Sequence, residues 1–223
     1  MEVKGYFPIP VWKEKIIIKD DWKKFAFEYF DKNSMLTNNE NKNLKHSLSL
    51  YSNTDKDKKL SWGNILDMPE LKVLRDIIKK TIEKCFVEYY GDLNEGNEAI
   101  LRESWLNKCD KDGTQYRHNH GNSLLSYTLY LNYDFQKGHA PLYFERPSYN
   151  SHQFFSVLSW TKWTAARNIL YEIMEGDLLV WPSQLVHGYF RNNGDNRITI
   201  SGNALLKKIY NKGYSLEINE GNE

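Results

Sequence analysis

Apolar residues recur at three- and four-residue intervals in the first part of the chain, the spacing of one helix face. A short helix is predicted after Asp20, with an apolar face made of Trp22, Phe25, Tyr29 and Phe30. A longer helix is predicted to begin near Asp67, because Pro69 suits a first turn and Glu70 completes a capping box. It is expected to end at Gly91, since glycine readily adopts the conformation that stops a helix.

From Ala99 onward the pattern changes to short apolar runs separated by turn residues, which is typical of β-strands. The predicted strands are 100–107, 116–120, 123–132, 141–145, 178–181, 188–190 and 198–203, with two earlier ones at 15–18 and 46–52. The stretch Asn192-Asn193-Gly194-Asp195 is a strong hairpin signal between the last two strands. Short strands behind a helical N-terminal part favour a β-sandwich or barrel, so we expect a mainly β fold with N-terminal helices.

These elements are expected to form one domain. Residues 1–98 are predicted to be an extended and helical support region, and residues 99–223 the β core of the same domain. Within that core, residues 148–171 form a long aromatic stretch that interrupts the strand pattern. Connections of that length are often functional, so a lid-like insert is predicted there.

The amino-acid composition indicates which binding partners and which cellular compartment to expect. The sequence contains 30 Lys and Arg residues and 29 Asp and Glu residues, so its net charge is +1. This near-neutral charge argues against nucleic acid as the main partner. The two cysteines are too few for a disulfide framework, which favours a reducing, cytoplasmic environment. The sequence shows no signal peptide and no apolar run of about 18 residues, so no membrane association is expected.

Four residues carry the candidate chemistry. His118 and His120 would point to the same side of an extended chain, because strand side chains alternate with a period of two. His187 and then Arg197 follow later in the chain. Imidazole is a common metal ligand, and arginine can bind a carboxylate with two hydrogen bonds, so we interpret the set as a metal site with an anion-binding partner. Taken alone, the histidine pair also fits an ordinary hydrogen-bonded feature.

Four segments resemble the Fe(II)- and 2-oxoglutarate-dependent oxygenases, in particular the prolyl-hydroxylase-like branch and the small oxygenases of phage and marine bacteria. The segments are Tyr116-Arg117-His118-Asn119-His120, Ser126-Tyr127-Thr128-Leu129-Tyr130-Leu131-Asn132, Gly176-Asp177-Leu178-Leu179-Val180-Trp181-Pro182-Ser183-Gln184-Leu185-Val186-His187 and Arg197-Ile198-Thr199-Ile200-Ser201. The resemblance implies a double-stranded β-helix, or jelly roll. The cofactors it implies are Fe(II), 2-oxoglutarate as cosubstrate, and O2.

The resemblance also implies roles for individual residues. His118 and His187 would bind iron, Tyr130 would donate a hydrogen bond to a cosubstrate carboxylate, and Arg197 would pair with the far carboxylate. The residue that assists this arginine would be Thr199. Asn107, Trp105 and Trp181 are candidates for the lining of the site, although ordinary core packing is the simpler interpretation of the two tryptophans. The implied reaction couples decarboxylation of 2-oxoglutarate to hydroxylation of a substrate, either a small molecule or a protein side chain.

One position departs from the family pattern: His120 stands where most members have Asp or Glu. His120 would then be a neutral third iron ligand, Glu145 would supply the carboxylate instead, or the site would be inactive. We expect His120 to be the ligand and Glu145 to be a solvated strand residue. His46, His139 and His152 have no partner at metal-binding spacing and are expected to be structural or on the surface.

The same departure keeps two other classes open. One is a catalytically inactive jelly-roll module, for example a virion protein, and the other is a cupin-like dioxygenase that uses three histidines without 2-oxoglutarate. If the protein is viral, its compartment would be the host cytoplasm. The aromatic residues 154–163 are the predicted place for substrate contacts or a homodimer interface.

Overall fold

The computed structural model describes residues 9–33, 48–51, 64–91, 97–121, 123–145, 167–169, 172–211 and 213–218. Two α-helices occur in these ranges, α1 (Asp20–Asn33) and α2 (Lys72–Tyr90). The strands in these ranges are β1 (Trp12–Lys15), β2 (Leu48–Tyr51), β3 (Ala99–Cys109), β4 (Gln115–His118), β5 (Leu125–Asn132), β6 (Tyr143–Glu145), β7 (Arg167–Ile169), β8 (Asp177–Pro182), β9 (His187–Tyr189), β10 (Arg197–Leu206), β11 (Lys208–Asn211) and β12 (Tyr214–Glu217). Neither helix is long and apolar enough to cross a membrane.

Ten of these strands form two antiparallel sheets that pack face to face, and β11 and β12 form a separate two-stranded sheet. The main sheet has the order β1-β8-β5-β10-β3-β2, and the small sheet has the order β4-β9-β6-β7. An apolar cluster between the sheets contains Tyr130 and Trp181 from the main sheet together with Phe144 and Tyr189 from the small sheet. The predicted mainly β fold with N-terminal helices is therefore confirmed.

The other face of the main sheet is covered by the helices. Leu74, Ile78, Ile82 and Phe86 of α2 are fully buried against the apolar side chains on that face. Cys85 lies in the same cluster, as expected for a small core residue. The main sheet therefore separates a helix-covered core from the space between the two sheets.

The first 98 residues also contribute strands to the main sheet. Strand β1 pairs with β8, and β2 pairs with β3, so these segments form its two edges. The sequence predicted a strand at residues 15–18, but strand β1 spans Trp12–Lys15, so the prediction is wrong by three residues at each end. The predicted division into a support region and a core, with an insert at 148–171, stays a prediction. Of that insert, the structure describes only β7, which pairs with β6.

The predicted start of the second helix is wrong. Residues Ile65–Asp67 and Pro69–Leu71 form two short 3-10 turns, and the α-helix begins only at Lys72. Met68 separates the turns in an extended conformation (φ −62°, ψ 134°), because a residue before proline is disfavoured in the helical region. The capping side chain is that of Asn64, which accepts a hydrogen bond from the Leu66 N–H. The predicted stop at Gly91 (φ 88°) is confirmed.

The hairpin predicted at residues 192–195 is also wrong. Strand β9 lies in the small sheet and β10 in the main sheet, so this connection crosses between sheets. The buried Asn192 side chain holds the crossing in place, because its oxygen accepts from the Ala140 N–H and its nitrogen donates to the Cys109 carbonyl. A hairpin missed by the sequence analysis is formed by β11 and β12, with Gly213 (φ 93°) in its turn.

The close packing of β10 provides a test of the fold. A Cβ atom added to Gly202 would lie 2.3 Å from the Tyr127 hydroxyl and 2.4 Å from the Glu103 carbonyl oxygen. We expect Gly202→Ala to lower the free energy of unfolding by about 2 kcal/mol, because a packed core accommodates extra atoms only with strain. Urea denaturation of metal-free protein measures this change.

Gly121→Ala is the matched control, since nothing lies within 4 Å of a Cβ atom at that position. Its free energy of unfolding should stay within about 0.5 kcal/mol of the wild-type value, as for most surface substitutions. Equal destabilisation by both variants would contradict the packing described for β10.

Candidate metal centre

Three histidines converge at one end of the space between the sheets. His118 ends β4 and is paired directly with His187, the first residue of β9. His120 lies just past β4, where its backbone N–H donates to the Ser183 carbonyl (2.9 Å). The side chains each offer one ligand atom, and these atoms lie within 4.8 Å of one another. The expectation that His118 and His120 point to the same side is confirmed, since their rings are stacked with centroids 5.2 Å apart.

Hydrogen bonds fix which nitrogen of each ring is free. The acceptors for Nδ1 are the Tyr116 carbonyl for His118 (2.8 Å), the Asn203 side-chain oxygen for His120 (2.5 Å) and the Leu185 carbonyl for His187 (3.0 Å). A carbonyl oxygen can only accept, so Nδ1 of each ring must carry the proton. The lone pair of Nε2 is then available on all three rings, which is the arrangement that binding of a metal ion requires.

Burial keeps two of the rings neutral. Burial is the main cause that lowers the pKa of His187, to about 3, and the neighbouring histidines lower it further. Burial also lowers the pKa of His120, although the hydrogen bond with Asn203 opposes that shift. Both rings are therefore uncharged near neutral pH, as a metal ligand must be.

Aromatic side chains enclose one side of the histidine cluster. The Trp181 ring packs edge-on against His187 with centroids 4.8 Å apart, and Phe144 packs against both rings. Trp105 lies near His120, with centroids 5.6 Å apart. Trp181 and Trp105 thus belong both to the packed core and to the wall of the site. Their side chains restrict the access of water to the histidines.

Arg197 is buried between the sheets at 1% exposure. Its Nε donates to the Ala140 carbonyl (2.8 Å), and its guanidinium carbon lies 4.3 Å from the centre of the Tyr189 ring and 5.4 Å from that of Tyr130. Among the described residues, no carboxylate forms an ion pair with it. Burial of an unpaired charge is costly, so this environment favours an anionic ligand.

Tyr130 offers a second polar group beside Arg197. Its hydroxyl accepts a hydrogen bond from the Leu142 N–H (3.2 Å). Burial raises the pKa of Tyr130, and the positive charge of Arg197 offsets part of that rise. The hydroxyl therefore stays protonated near neutral pH and can donate a hydrogen bond to a carboxylate.

A row of polar side chains on β10 connects the histidine end of the site with Arg197. Thr199, Ser201 and Asn203 alternate with buried apolar residues on this strand, so they face the space between the sheets. Thr199 lies opposite Tyr130 and Asn107 in the neighbouring strands, and the Asn107 side chain donates to the Ser201 hydroxyl (3.3 Å). This polar row therefore lines the interior and is not a solvent face.

The other candidate residues lie elsewhere. Glu145 is not a solvated strand residue: its side chain is 12% exposed and forms an ion pair with Arg117 (2.8 Å). Its neighbour Phe144 faces the histidines, so Glu145 points away from them by strand alternation. His139 is structural, because its ring accepts from the Asp134 N–H and bonds to the Asp195 carbonyl. His46 and His152 lie outside the described residues.

The side chains that form hydrogen bonds around His120 were not predicted to be site residues. Ser126 donates to the Asn203 side-chain oxygen (2.9 Å), and Asn203 in turn donates to Glu103 (3.0 Å). Ser183 contacts Ser126 through their hydroxyls (2.9 Å). The available signal was strand alternation, which puts Ser126 on the same side of β5 as Tyr130. The alignment of Glu103 with Asn203, however, depends on long-range pairing.

The family comparison agrees with the position of the site. Residues 103–203 match the model of a family described as "Putative 2OG-Fe(II) oxygenase". The matched segment contains the three histidines and Arg197. The resemblance to 2-oxoglutarate- and Fe(II)-dependent oxygenases is therefore confirmed for this part of the chain. A comparison with curated proteins finds no significant match.

Solved structures establish the fold. A prolyl-4-hydroxylase from Pseudomonas putida is 11% identical, with a TM-score of 0.53 over 88% of this chain and 92% of that one. HygX from Streptomyces hygroscopicus, solved with nickel and 2-oxoglutarate bound, is 10% identical, with a TM-score of 0.53 over 88% of this chain and 82% of that one. The viral collagen prolyl hydroxylase from Paramecium Bursaria Chlorella virus-1, solved as a 2-oxoglutarate complex, is 10% identical, with a TM-score of 0.50 over 87% of this chain and 94% of that one. The predicted jelly roll is confirmed.

The histidine cluster predicts a single metal site. Wild-type protein should bind one Co(II) per chain, and His187→Ala should lose stoichiometric binding because two imidazoles remain where three are needed. Titration followed by visible absorption or calorimetry measures this. His139→Ala should keep the site but unfold more easily by about 1–3 kcal/mol, since it leaves buried polar groups without partners. Loss of Co(II) in His139→Ala alone would contradict the assignment.

Proposed function

We propose that this protein is a non-haem Fe(II) dioxygenase that couples oxidative decarboxylation of 2-oxoglutarate to hydroxylation of a substrate. The substrate class is a protein side chain or a small molecule. The observation that carries the proposal is the buried Arg197, which has no carboxylate partner among the described residues and shares the inter-sheet space with three clustered imidazoles. A dicarboxylate that binds a metal at one end would neutralise the arginine at the other.

The donor set fits a divalent first-row metal. His118, His120 and His187 would hold the ion through Nε2, because Nδ1 of each ring is already bonded to an acceptor. Three ligands on one face of an octahedral ion leave the remaining positions for cosubstrate and O2. When bound, Fe(II) with 2-oxoglutarate supplies the oxidising chemistry, and the protein supplies binding, orientation and exclusion of water.

The surrounding residues would position the cosubstrate. Arg197 would bind its far carboxylate with the planar donor fork that suits a carboxylate. Tyr130 would donate a hydrogen bond from its hydroxyl to the same carboxylate, and Thr199, opposite Tyr130 in the sheet, would add a polar group beside them. Asn107 would contribute to the polar lining through its bond with Ser201.

Arg197 also helps to distinguish the proposed enzyme from the two competing classes of protein. A purely structural jelly roll has no need for an unpaired arginine at 1% exposure, because the burial of its charge destabilises the fold. A three-histidine dioxygenase that works without 2-oxoglutarate has no need for this anion site either. The buried cation therefore favours the 2-oxoglutarate-dependent reaction over both alternatives.

The anion site provides a binding test. With Co(II) or Ni(II) bound, wild-type protein should bind 2-oxoglutarate, and Arg197→Met should weaken that binding at least about 100-fold, because a buried charge pair is lost. The metal affinity of the variant should stay close to the wild-type value. Isothermal titration calorimetry measures both constants.

Arg191→Met is the matched control for this experiment. Arg191 is exposed and paired with Asp112, so its replacement should leave the binding of 2-oxoglutarate unchanged. Binding that is indifferent to Arg197→Met, or no binding to the metal-loaded wild type, would exclude the proposed cosubstrate site.

Turnover tests the reaction itself. Fe(II)-loaded wild-type protein in air should convert some 2-oxoglutarate to succinate even without a substrate, and both His187→Ala and Arg197→Met should abolish this conversion. Succinate is measured by proton NMR or chromatography. The same rate in His187→Ala would show that the reaction does not take place at this site.

A further inference from the structure

His120 is held by a chain of hydrogen bonds that ends at a carboxylate. Its Nδ1 donates to the Asn203 side-chain oxygen (2.5 Å), and the Asn203 nitrogen donates to Glu103 (3.0 Å). Ser126 bonds to the same Asn203 oxygen (2.9 Å) and fixes the amide orientation. The amide can satisfy all three partners in only one orientation, in which the histidine donates and the carboxylate accepts.

Strand pairing places these groups in one line. Asn203 of β10 is directly opposite Glu103 of β3 on one side and Ser126 of β5 on the other. The pairing of β10 with β3 shifts just after this point, because Ala204 is opposite Leu101 and leaves Arg102 without a partner in the register. This bulge allows Glu103 to face the site while Leu101 packs into the helix-covered core.

The carboxylate of Glu103 interacts with the hydrogen-bond chain that leads to His120. Within the described part of the protein, its carboxylate accepts a hydrogen bond from Asn203 and forms no ion pair. A charged acceptor polarises the amide, and hydrogen bonds in series strengthen one another in a region of low dielectric constant. The Asn203 oxygen therefore becomes a stronger acceptor for His120, and the ring becomes a stronger donor of electrons at Nε2.

We propose that Glu103 is a positioning residue that acts through Asn203 on His120 and supplies, from outside the ligand set, the negative charge that a histidine in place of a carboxylate removes. This inference rests on the proposed function, since it concerns the same metal. It gives His120 two properties at once: a fixed ring orientation and a greater affinity for a cation.

The test uses full-length, metal-free protein and Co(II) alone. Glu103→Gln keeps a side-chain oxygen for Asn203 but removes the charge, so the Co(II) dissociation constant should rise about tenfold, as when other groups bonded to a metal ligand are removed. The reduction potential of bound iron should also rise, because less negative charge stabilises Fe(III). Glu28→Gln on α1 removes the same charge from an exposed side chain and should change neither quantity.

A rescue variant separates charge from structure. Adding Asn203→Asp to Glu103→Gln moves the carboxylate one step closer, where it can accept from His120 and from the new glutamine amide. The double variant should bind Co(II) at least as tightly as the wild type. A dissociation constant for Glu103→Gln equal to that of the wild type would overturn the inference, and so would a loss that Asn203→Asp does not restore.

The two proposals fail in different ways. Wild-type protein that binds no Co(II) would overturn both the proposed function and the role of Glu103. Wild-type protein that binds Co(II) and 2-oxoglutarate, with Glu103→Gln unchanged in both, would overturn the role of Glu103 alone.

Discussion

Apolar and polar side chains alternate along strand β10, so one face of the strand is apolar and the other is polar. Both the helix-covered core and the site between the sheets depend on this alternation. Ile198 and Ile200 are fully buried toward the helices, where they help to form the larger apolar cluster. Thr199, Ser201 and Asn203 face the small sheet. Because β10 lies between β3 and β5, a shift of one residue in either pairing would turn the polar row into the core. Gly202 lets the Tyr127 hydroxyl approach the strand closely and favours the observed register.

Many polar side chains line the space between the sheets, and their burial lowers the free energy of unfolding unless they form hydrogen bonds. Buried hydroxyls and amides destabilise a fold unless they are hydrogen-bonded, and here most of them bond to one another across strands. The Ser201 hydroxyl, for example, joins Thr128 (2.8 Å) to Asn107. Arg197 departs from this pattern, because its positive charge has no anion among the described residues. A site that holds an unbalanced charge is suited to a ligand that balances it.

His120 stands where most members of the family that the sequence resembles have a carboxylate, so the charge balance of the site differs from that pattern. Each of the three imidazoles is hydrogen-bonded to an oxygen through Nδ1, which leaves its Nε2 outside these bonds. Two of these oxygens belong to the backbone, whereas that of His120 belongs to Asn203 and continues to Glu103. Among the described residues, the network around His120 therefore connects a carboxylate to the cluster through hydrogen bonds.

Much of the site could be predicted from the sequence, because strand alternation is local. It indicated that His118 and His120 share one side of an extended chain, and the same alternation puts Arg197, Thr199 and Ser201 on one face of β10. The resemblance of the segments around them to known oxygenases indicated which fold would bring these residues together. The roles of Arg197, Tyr130, Thr199 and Asn107 toward a cosubstrate stay predictions that the geometry supports.

Tertiary structure decided what depends on distant pairing. The connection at residues 192–196 has the residues of a hairpin, yet Asn192 is buried and directs the chain into the other sheet. Glu145 lies in a predicted strand, but only the packing of Phe144 on His187 shows that its carboxylate points away. Glu103 gives no signal until β3 is aligned with β10. The sequence by itself determined which side chains share a face within a strand; the neighbours and registers of the strands decided which faces meet, because those pairings join residues far apart in the chain.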